Sequence, residues 1–332
     1  MRAVLKVIGL TENITSTQAI SCKHRQIHSS HSRCKASIID GVKRANSIQD
    51  ELKKEVSLLE GNRPQLTTVL VGDDYVSHVY IKRKMMAAKA VGISTNTIYL
   101  ENSCSERDLV SLLDSLNQDV NVNAILVQLP LPNHICERTI CNTIAPLKDV
   151  DGFNFFNMGR FALGMNALWP CTAMAVHDLI TSTGIETKGK HAVICGRSKN
   201  VGFPIAMTLH SSGFGGSPGM DATTTICHRH TPLSLLSSLT KSADILISAT
   251  GVPGLISSSM VKPGACVIDV GITRIHNEEL KETRLIGDVD FDGVSKIAGF
   301  LTPVPGGVGP MTVAMLLKNT VLAYKLQMRG KG

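Results

Sequence analysis

Between Ala36 and Leu59 the apolar positions Ile38, Val42, Ala45, Ile48, Leu52, Val56 and Leu59 recur every three or four residues. That spacing predicts an amphipathic helix starting at Ala36. A short apolar strand follows at 66–72, then a helix from Ser77 to about residue 91 and a strand at 95–100. Ser105 and Asp108 form a capping box opening a helix whose buried stripe is Leu109, Leu112, Leu113 and Leu116. The apolar run 124–129, with Gln128 within it, predicts a fully buried strand, closed by Pro130 and Pro132. A helix at about 137–145 completes a β/α alternation, which implies a parallel sheet.

The second half repeats the alternation. A helix at about 171–184 leads to a buried strand at 191–195, and the loop 196–202 opens the next helix. Further strands are predicted at 223–227, 243–248 and 265–270, and a last helix at 313–326. The expected fold is α/β, with two α/β domains, the C-terminal one a Rossmann-like doubly wound parallel sheet. A chain of 332 residues has room for both.

Composition narrows the function classes. Hydrophobic residues make 43% and charged ones 18%, an ordinary globular balance, and aromatics only 4%. So few aromatics argue against base-stacking nucleic-acid modules, and no apolar run approaches the length of a membrane-spanning helix. Neither a nucleic-acid nor a membrane partner is expected. The formal charge of +7 is unevenly placed: residues 1–35 carry Arg2, Lys6, Lys23, Arg25, Arg33 and Lys35 against one acid, Glu12. A basic leader bearing Ser and His and poor in acids reads as an organelle transit peptide, mitochondrial and cleaved near Arg33, although a tail with no address has the same composition. The nine cysteines form an odd set without a C-x-x-C pair, as expected of reduced, mostly buried thiols.

Candidate chemistry begins at Tyr80 and Lys84. Four residues apart on one helix, they share a face, and a phenol beside an amine near a strand end is a plausible acid–base pair. Lys82 and Arg83 crowd Lys84 with like charge, which favours the neutral amine; a solvated basic helix face would carry the same residues. Gln128 lies near the C-terminal end of a buried strand, where ligands bind in open α/β sheets, or it is a structural amide. Asp149 and Asp151 before Gly152 fit an Asx turn as well as a site. The Gly196–Gly202 loop, with Arg197 and Lys199, offers N–H groups at a helix N-terminus to a pyrophosphate, or is simply a tight turn. Arg229 stands at the tip of the second strand of that unit, where an arginine ordinarily suggests NADP. Three glycines between prolines at 303–310 make a rigid turn that a ligand could approach closely.

Taken together, Y-x-x-x-K at Tyr80–Lys84, V-Q-L-P-L-P at 127–132, K-D-V-D-G at 148–152, G-R-S-x-x-V-G at 196–202 and P-V-P-G-G-V-G-P-M-T at 303–312 resemble the bifunctional methylenetetrahydrofolate dehydrogenase/cyclohydrolase family. The resemblance runs from about Ala36 to the C-terminus, with one departure: Tyr75-Val76 stands where relatives usually carry Pro-Ala. It implies a transit peptide over 1–35, a catalytic domain over 36–150 onto which a C-terminal helix at 312–328 packs back, and an NAD-binding domain over 151–332. A folate cleft would lie between the domains, and the protein would be a homodimer of the mitochondrial matrix.

The implied activity is oxidation of 5,10-methylenetetrahydrofolate with NAD, then hydrolysis of the methenyl product to 10-formyltetrahydrofolate, with NADP as the alternative cofactor. The resemblance implies that Lys84 is the acid–base group, Tyr80 a wall for the folate ring, Gln128 a partner tuning Lys84, and Asp151 the pterin anchor. Val127, Leu129, Pro305, Gly306, Gly307, Val308 and Gly309 would line the substrate. Gly196, Arg197, Ser198, Arg229 and Ile272 would hold the dinucleotide. Relatives that use NADP usually carry a small polar residue at the Arg229 position and lack both the 211–220 insertion and an acid matching Asp221. In the NAD-dependent branch, inorganic phosphate would bind Arg197 and Arg229, and magnesium would be oriented by Asp221. A hydroxy-acid or amino-acid dehydrogenase, an inactive folate-binding protein and a monofunctional dehydrogenase fit these motifs less well.

Overall fold

The computed structural model of the protein describes residues 35–59, 63–213, 219–277 and 282–329. The leader through Cys34 and the centre of the 211–220 insertion lie outside the described residues.

The chain opens with strand β1 (Ser37–Ile38) and helix α1 (Gly41–Ser57), which Asp40 caps by accepting from Lys43 N at 2.9 Å. Strand β2 (Gln65–Val71), helix α2 (Tyr75–Ala90), strand β3 (Ser94–Leu100), helix α3 (Glu106–Gln118), strand β4 (Ala124–Val127) and helix α4 (Glu137–Thr143) follow. The sheet order is β3-β2-β4, all parallel. Alternate residues of β2 serve two cores: Leu66 and Leu70 face α1, while Val69 and Val71 face Leu109 and Leu113 of α3.

Helices α5 (Phe155–Ala162) and α6 (Cys171–Ser182) lead to the second unit. It runs β5 (His191–Cys195), α7 (Gly202–His210), β6 (Thr223–Cys227), α8 (Leu233–Ser242), β7 (Ile245–Ser248) and β8 (Cys266–Asp269). Then come the antiparallel hairpin β9 (Thr273–Asn277) and β10 (Glu282–Ile286), α9 (Phe291–Val294), β11 (Phe300–Leu301) and α10 (Val308–Arg329). Among the described residues this sheet has the order β1-β11-β8-β7-β5-β6, with parallel pairing throughout. The chain order reverses between β5 and β7, the switch point where ligands collect in such sheets.

Three differences from the sequence reading have physical causes. Ser37 and Ile38 are an edge strand paired with Phe300 and Leu301, not the start of a helix. A two-residue strand carries no period, and Ile38 happens to fit the helical spacing. Helix α2 begins at Tyr75, because Asp74 accepts from both Ser77 N and Ser77 Oγ at 2.8 Å and closes its N-terminus. Helix α10 begins at Val308, inside the Pro/Gly run. Pro310 is tolerated there because first-turn N–H groups have no intrahelical partner.

Helix α10 packs on α1 and α6. Its buried Met315 and Leu317 join the cluster containing Leu52 of α1, Leu179 of α6 and Ile194 of β5. Each such fully buried side chain contributes roughly 1.5–3 kcal/mol. This helix therefore ties the two sheets into one core.

Candidate active site

Lys84 and Gln128 meet at the C-terminal edge of the first sheet. Lys84 Nζ donates to Gln128 Oε1 at 3.0 Å. Strand β4 stops at Val127, short of the predicted 124–129, so Gln128 lies just beyond the observed strand; its backbone N still bonds Val69 O at 2.9 Å, and its Nε2 donates to Leu129 O at 2.6 Å. With the amide N–H committed to a backbone carbonyl, Oε1 is fixed toward the lysine. Tyr80 is half-buried one turn earlier on α2. Lys82 and Arg83 are exposed, whereas Lys84 is half-buried. The neighbours expected to crowd Lys84 with like charge therefore point into solvent, while the Lys84 ammonium lowers the pKa of Asp151.

The K-D-V-D-G segment divides its labour. Lys148 is buried and donates to Leu116 O at 2.9 Å and Asp119 O at 2.7 Å, neutralising the C-terminus of α3. Asp149 forms the expected Asx turn, accepting from Gly152 N at 3.1 Å, and it also accepts from Asn154 N at 2.8 Å and Asn157 Nδ2 at 3.0 Å. Asp151 is left for the site. Desolvation raises its pKa to about 6; the Lys84 ammonium pulls it down, and Asp149 pushes it up. Beneath it, Asn319 of α10 donates to Val150 O at 2.8 Å and Trp169 O at 2.9 Å. Cys171 also donates to Val150 O, and burial holds its thiol well above the usual range, so it is chemically inert.

The 303–309 loop turns at the start of α10. Val42 N donates to Gly306 O at 3.1 Å, fixing the loop on α1. On its other side a side chain at Gly309 would stand 3.6 Å from Ile272 Cδ1. Pro305 is exposed, Gly307 and Val308 are buried, and Leu129 is half-buried beside buried Val127.

A cavity of about 760 Å³ opens at the C-terminal ends of β5, β6 and β7. Gly196, Arg197, Ser198, Lys199, His228, Arg229, Thr250 and Val252 are among the residues that line it. The chemistry of its lining fits a dinucleotide, with the Gly196–Gly202 loop opening α7 and two arginines beside it. Gly196 has φ +123°, and a Cβ there would lie 2.2 Å from Ala249 O, so the loop can pack this closely on the end of β7 only as glycine. Ser198, in place of the second glycine of the usual fingerprint, accepts from Gly202 N at 3.2 Å and caps α7. Arg197 and Arg229 share the cavity with His228, whose pKa is lowered by desolvation, then by Arg197 and His230. Lys199, expected beside Arg197, is in this lining, whereas His228 and Thr250 were not expected from the sequence; they lie just past the C-terminal ends of β6 and β7 and could have been found by that position alone.

Asp221 lies elsewhere. It has φ +51°, precedes β6, and accepts from Gly213 N at 3.1 Å, whereas Arg229 follows β6. The five residues of β6 lie between the two, so within this chain the acid does not stand beside the guanidinium groups. The residues of a single chain do not fit the expected magnesium site.

Two family models match the chain: tetrahydrofolate dehydrogenase/cyclohydrolase, catalytic domain, over residues 39–151, and the NAD(P)-binding domain of the same family over 170–328. Among curated relatives, the human protein named bifunctional methylenetetrahydrofolate dehydrogenase/cyclohydrolase 2, mitochondrial, is 54% identical over 304 residues, covering 91% of this chain and 88% of its own. Among solved structures, a 5,10-methylenetetrahydrofolate dehydrogenase from the silkworm Bombyx mori matches with TM-score 0.84 and 49% identity, covering 89% of this chain and 99% of the other. The Trypanosoma brucei methylenetetrahydrofolate dehydrogenase-cyclohydrolase, complexed with NADP and an inhibitor, matches with TM-score 0.83 and 39% identity over 89% and 99% of the two chains.

Proposed function

The chain belongs to the tetrahydrofolate dehydrogenase/cyclohydrolase family, and from that premise we propose how its residues divide the two reactions and which cofactor they favour. It is an enzyme with dehydrogenase and cyclohydrolase activity on one-carbon tetrahydrofolate derivatives, carried on an α/β fold with a nicotinamide-dinucleotide domain.

The observation that carries the assignment of roles is the Lys84–Gln128 bond beside Asp151. Asp151 anchors the pterin through its carboxylate, and Tyr80 walls the ring system. Hydride loss from the methylene carbon needs alignment more than proton transfer, so positioning by these groups and by the 305–309 loop supplies much of that rate. A bound nicotinamide supplies the hydride acceptor. Hydration of the resulting methenyl carbon needs a proton removed from water and one delivered to the departing ring nitrogen. Lys84 performs both transfers, and Gln128 holds its Nζ at the reacting face. Gly196, Arg197, Ser198, Arg229 and Ile272 hold the dinucleotide.

We read the preferred cofactor as NAD with inorganic phosphate. Arg197 and Arg229 share the cavity, and no carboxylate is among its lining residues to take the ribose hydroxyls. Two guanidinium groups favour a dianion there. NADP would bring that dianion as its own 2′-phosphate; NAD needs a free one. For magnesium and the homodimer, the support is that β6 is an edge strand of its sheet among the described residues, with Thr223 and Ile226 exposed. A second copy pairing antiparallel about Thr225 would set its residue 221 opposite Arg229, bringing an acid to the phosphate from the partner. The mitochondrial matrix is the proposed compartment, on the basic leader and the names of the relatives. A reporter fused to residues 1–35 that stayed diffuse in the cytosol would refute the address.

The decisive experiment is initial-rate dehydrogenase activity with NAD and with NADP, each with and without magnesium and phosphate, alongside cyclohydrolase activity on the methenyl substrate. Faster turnover with NAD, raised by phosphate, supports the reading; absence of either activity ends it.

A further inference from the structure

Three loops leave the C-terminal ends of β7, β8 and β11, and two carboxyl groups unused by the chemistry above tie them together. Asp288 is fully buried. Its Oδ2 accepts from Ser248 Oγ at 2.9 Å, Thr250 N at 2.7 Å, Thr250 Oγ1 at 2.9 Å and Gly251 N at 3.3 Å, all donors from β7 and the loop after it. Asp269 closes β8 and is also buried. Its Oδ1 accepts from Gly271 N at 3.0 Å and Asp288 N at 3.1 Å, and its Oδ2 from Val289 N at 2.9 Å. Through its own N–H, Asp269 bonds Thr302 Oγ1 at 2.7 Å, at the root of the 302–309 loop.

The approach is close enough to be rigid. A Cβ on Gly271 would lie 2.0 Å from Asp288 Oδ1, and one on Gly287 would lie 1.9 Å from Asp269 Oδ2 and 2.9 Å from Val304 Cγ2. Burying a carboxylate is costly unless its oxygens are bonded, and here seven donors from three separate stretches of chain meet Asp288 Oδ2 and both oxygens of Asp269. What the network does fix is the spacing of Thr250 in the dinucleotide cavity wall, of Ile272, and of the loop that packs against Ile272 at Gly309. Lys84, Gln128 and Asp151 receive no bond from either acid.

We propose that Asp269 and Asp288 are positioning residues for hydride transfer, setting the gap between the nicotinamide side at Thr250 and Ile272 and the folate side at the 302–309 loop. The inference rests on the assignment of both reactions to this chain. Hydride transfer is sensitive to small displacements, a 1 Å error costing on the order of 100-fold, whereas the hydration step draws on Lys84 and its neighbours.

The test compares full-length wild type with Asp288→Asn and Asp269→Asn in both reactions. Dehydrogenase kcat should fall about 10- to 100-fold, with cyclohydrolase kcat within about twofold of wild type. The deuterium isotope effect with substrate labelled at the methylene carbon should rise, since hydride transfer becomes slower relative to release. If these variants do not fold, Thr250→Val, which removes one donor and keeps the backbone, should give a smaller change of the same kind. Equal loss of both activities, or a loss with an unchanged isotope effect, would overturn the proposal. A wild type lacking one activity would overturn the underlying assignment instead.

Discussion

Lys84 Nζ bonds Gln128 Oε1 at 3.0 Å, joining the second helix of the chain to the end of the third strand of its first sheet. Forty-four residues of sequence separate the two, and both are set by backbone structure: Lys84 by the Asp74 cap that fixes the start of α2, Gln128 by its bonds to Val69 and Leu129.

Replacing Lys84 by Met should therefore abolish cyclohydrolase activity, a loss of at least about 100-fold for a proton-transfer group. Lys82→Met should leave most of it, since Lys82 points to solvent. Steady-state hydrolysis of the methenyl substrate measures both. Comparable loss in the two variants would mean that the wrong member of this basic cluster has been given the role.

Much of this site was legible because its residues sit where periodicity ends. Gln128 follows a run of apolar residues, and Asp151 precedes a glycine; an interrupted pattern is what a sequence shows best. Asp288 left no such trace, because an acid between Gly287 and Val289 reads as a turn until β7 and β8 are placed side by side. The pairing of Ser37 with Phe300 was equally hidden, since it depends on contacts distant in the chain. For Asp221 the resemblance supplied a role but no position: an extended strand puts it and Arg229 at opposite ends of β6 within one chain.

Asp151 predicts a pH dependence. Its pKa of about 6 lies above the ordinary carboxylate range, chiefly through desolvation. The stability this group contributes is fully present below about pH 4 and is lost as pH rises through 6. Asp151→Asn should accordingly gain stability relative to wild type between pH 5 and 7.5, followed by thermal melts. Folate binding should instead weaken below about pH 6, as the anchor protonates. In Lys84→Met that acid limb should move to higher pH, because the ammonium no longer holds the carboxyl down. A limb that stayed in place would show that the lysine charge does not reach Asp151.

Asn319 is a structural dependency of the same site. Asn319→Leu keeps the size of the side chain but leaves Trp169 O without its donor and Val150 O with only the Cys171 thiol. One carbonyl orphaned and a second left on a weak donor should cost about 1–3 kcal/mol in urea unfolding. The turn carrying Asp151 should loosen as well, raising KM for folate in both reactions. A variant with wild-type stability would mean that these carbonyls find other partners.

The proposed cofactor choice rests on Arg197 and Arg229, which line one cavity from the ends of adjacent strands. With NAD, phosphate should lower KM by filling the position that the 2′-phosphate of NADP would take, and Arg229→Ser should remove that response. High salt should weaken it too, since both arginines are exposed and screened. Magnesium is a separate matter. A hard cation favours carboxylate and phosphate oxygens, but Asp221 of the same chain is at the far end of β6. If the acid comes from a second copy, Asp221→Asn should blunt the magnesium response while leaving cyclohydrolase activity nearly intact. Mixed dimers of Asp221→Asn and Arg229→Ser chains should then recover one working site, because one of the two edges pairs an intact acid with an intact arginine. Failure of mixed dimers to respond, where wild-type dimers do, would exclude a shared site. A wild type that prefers NADP and ignores both ions would remove the NAD assignment altogether.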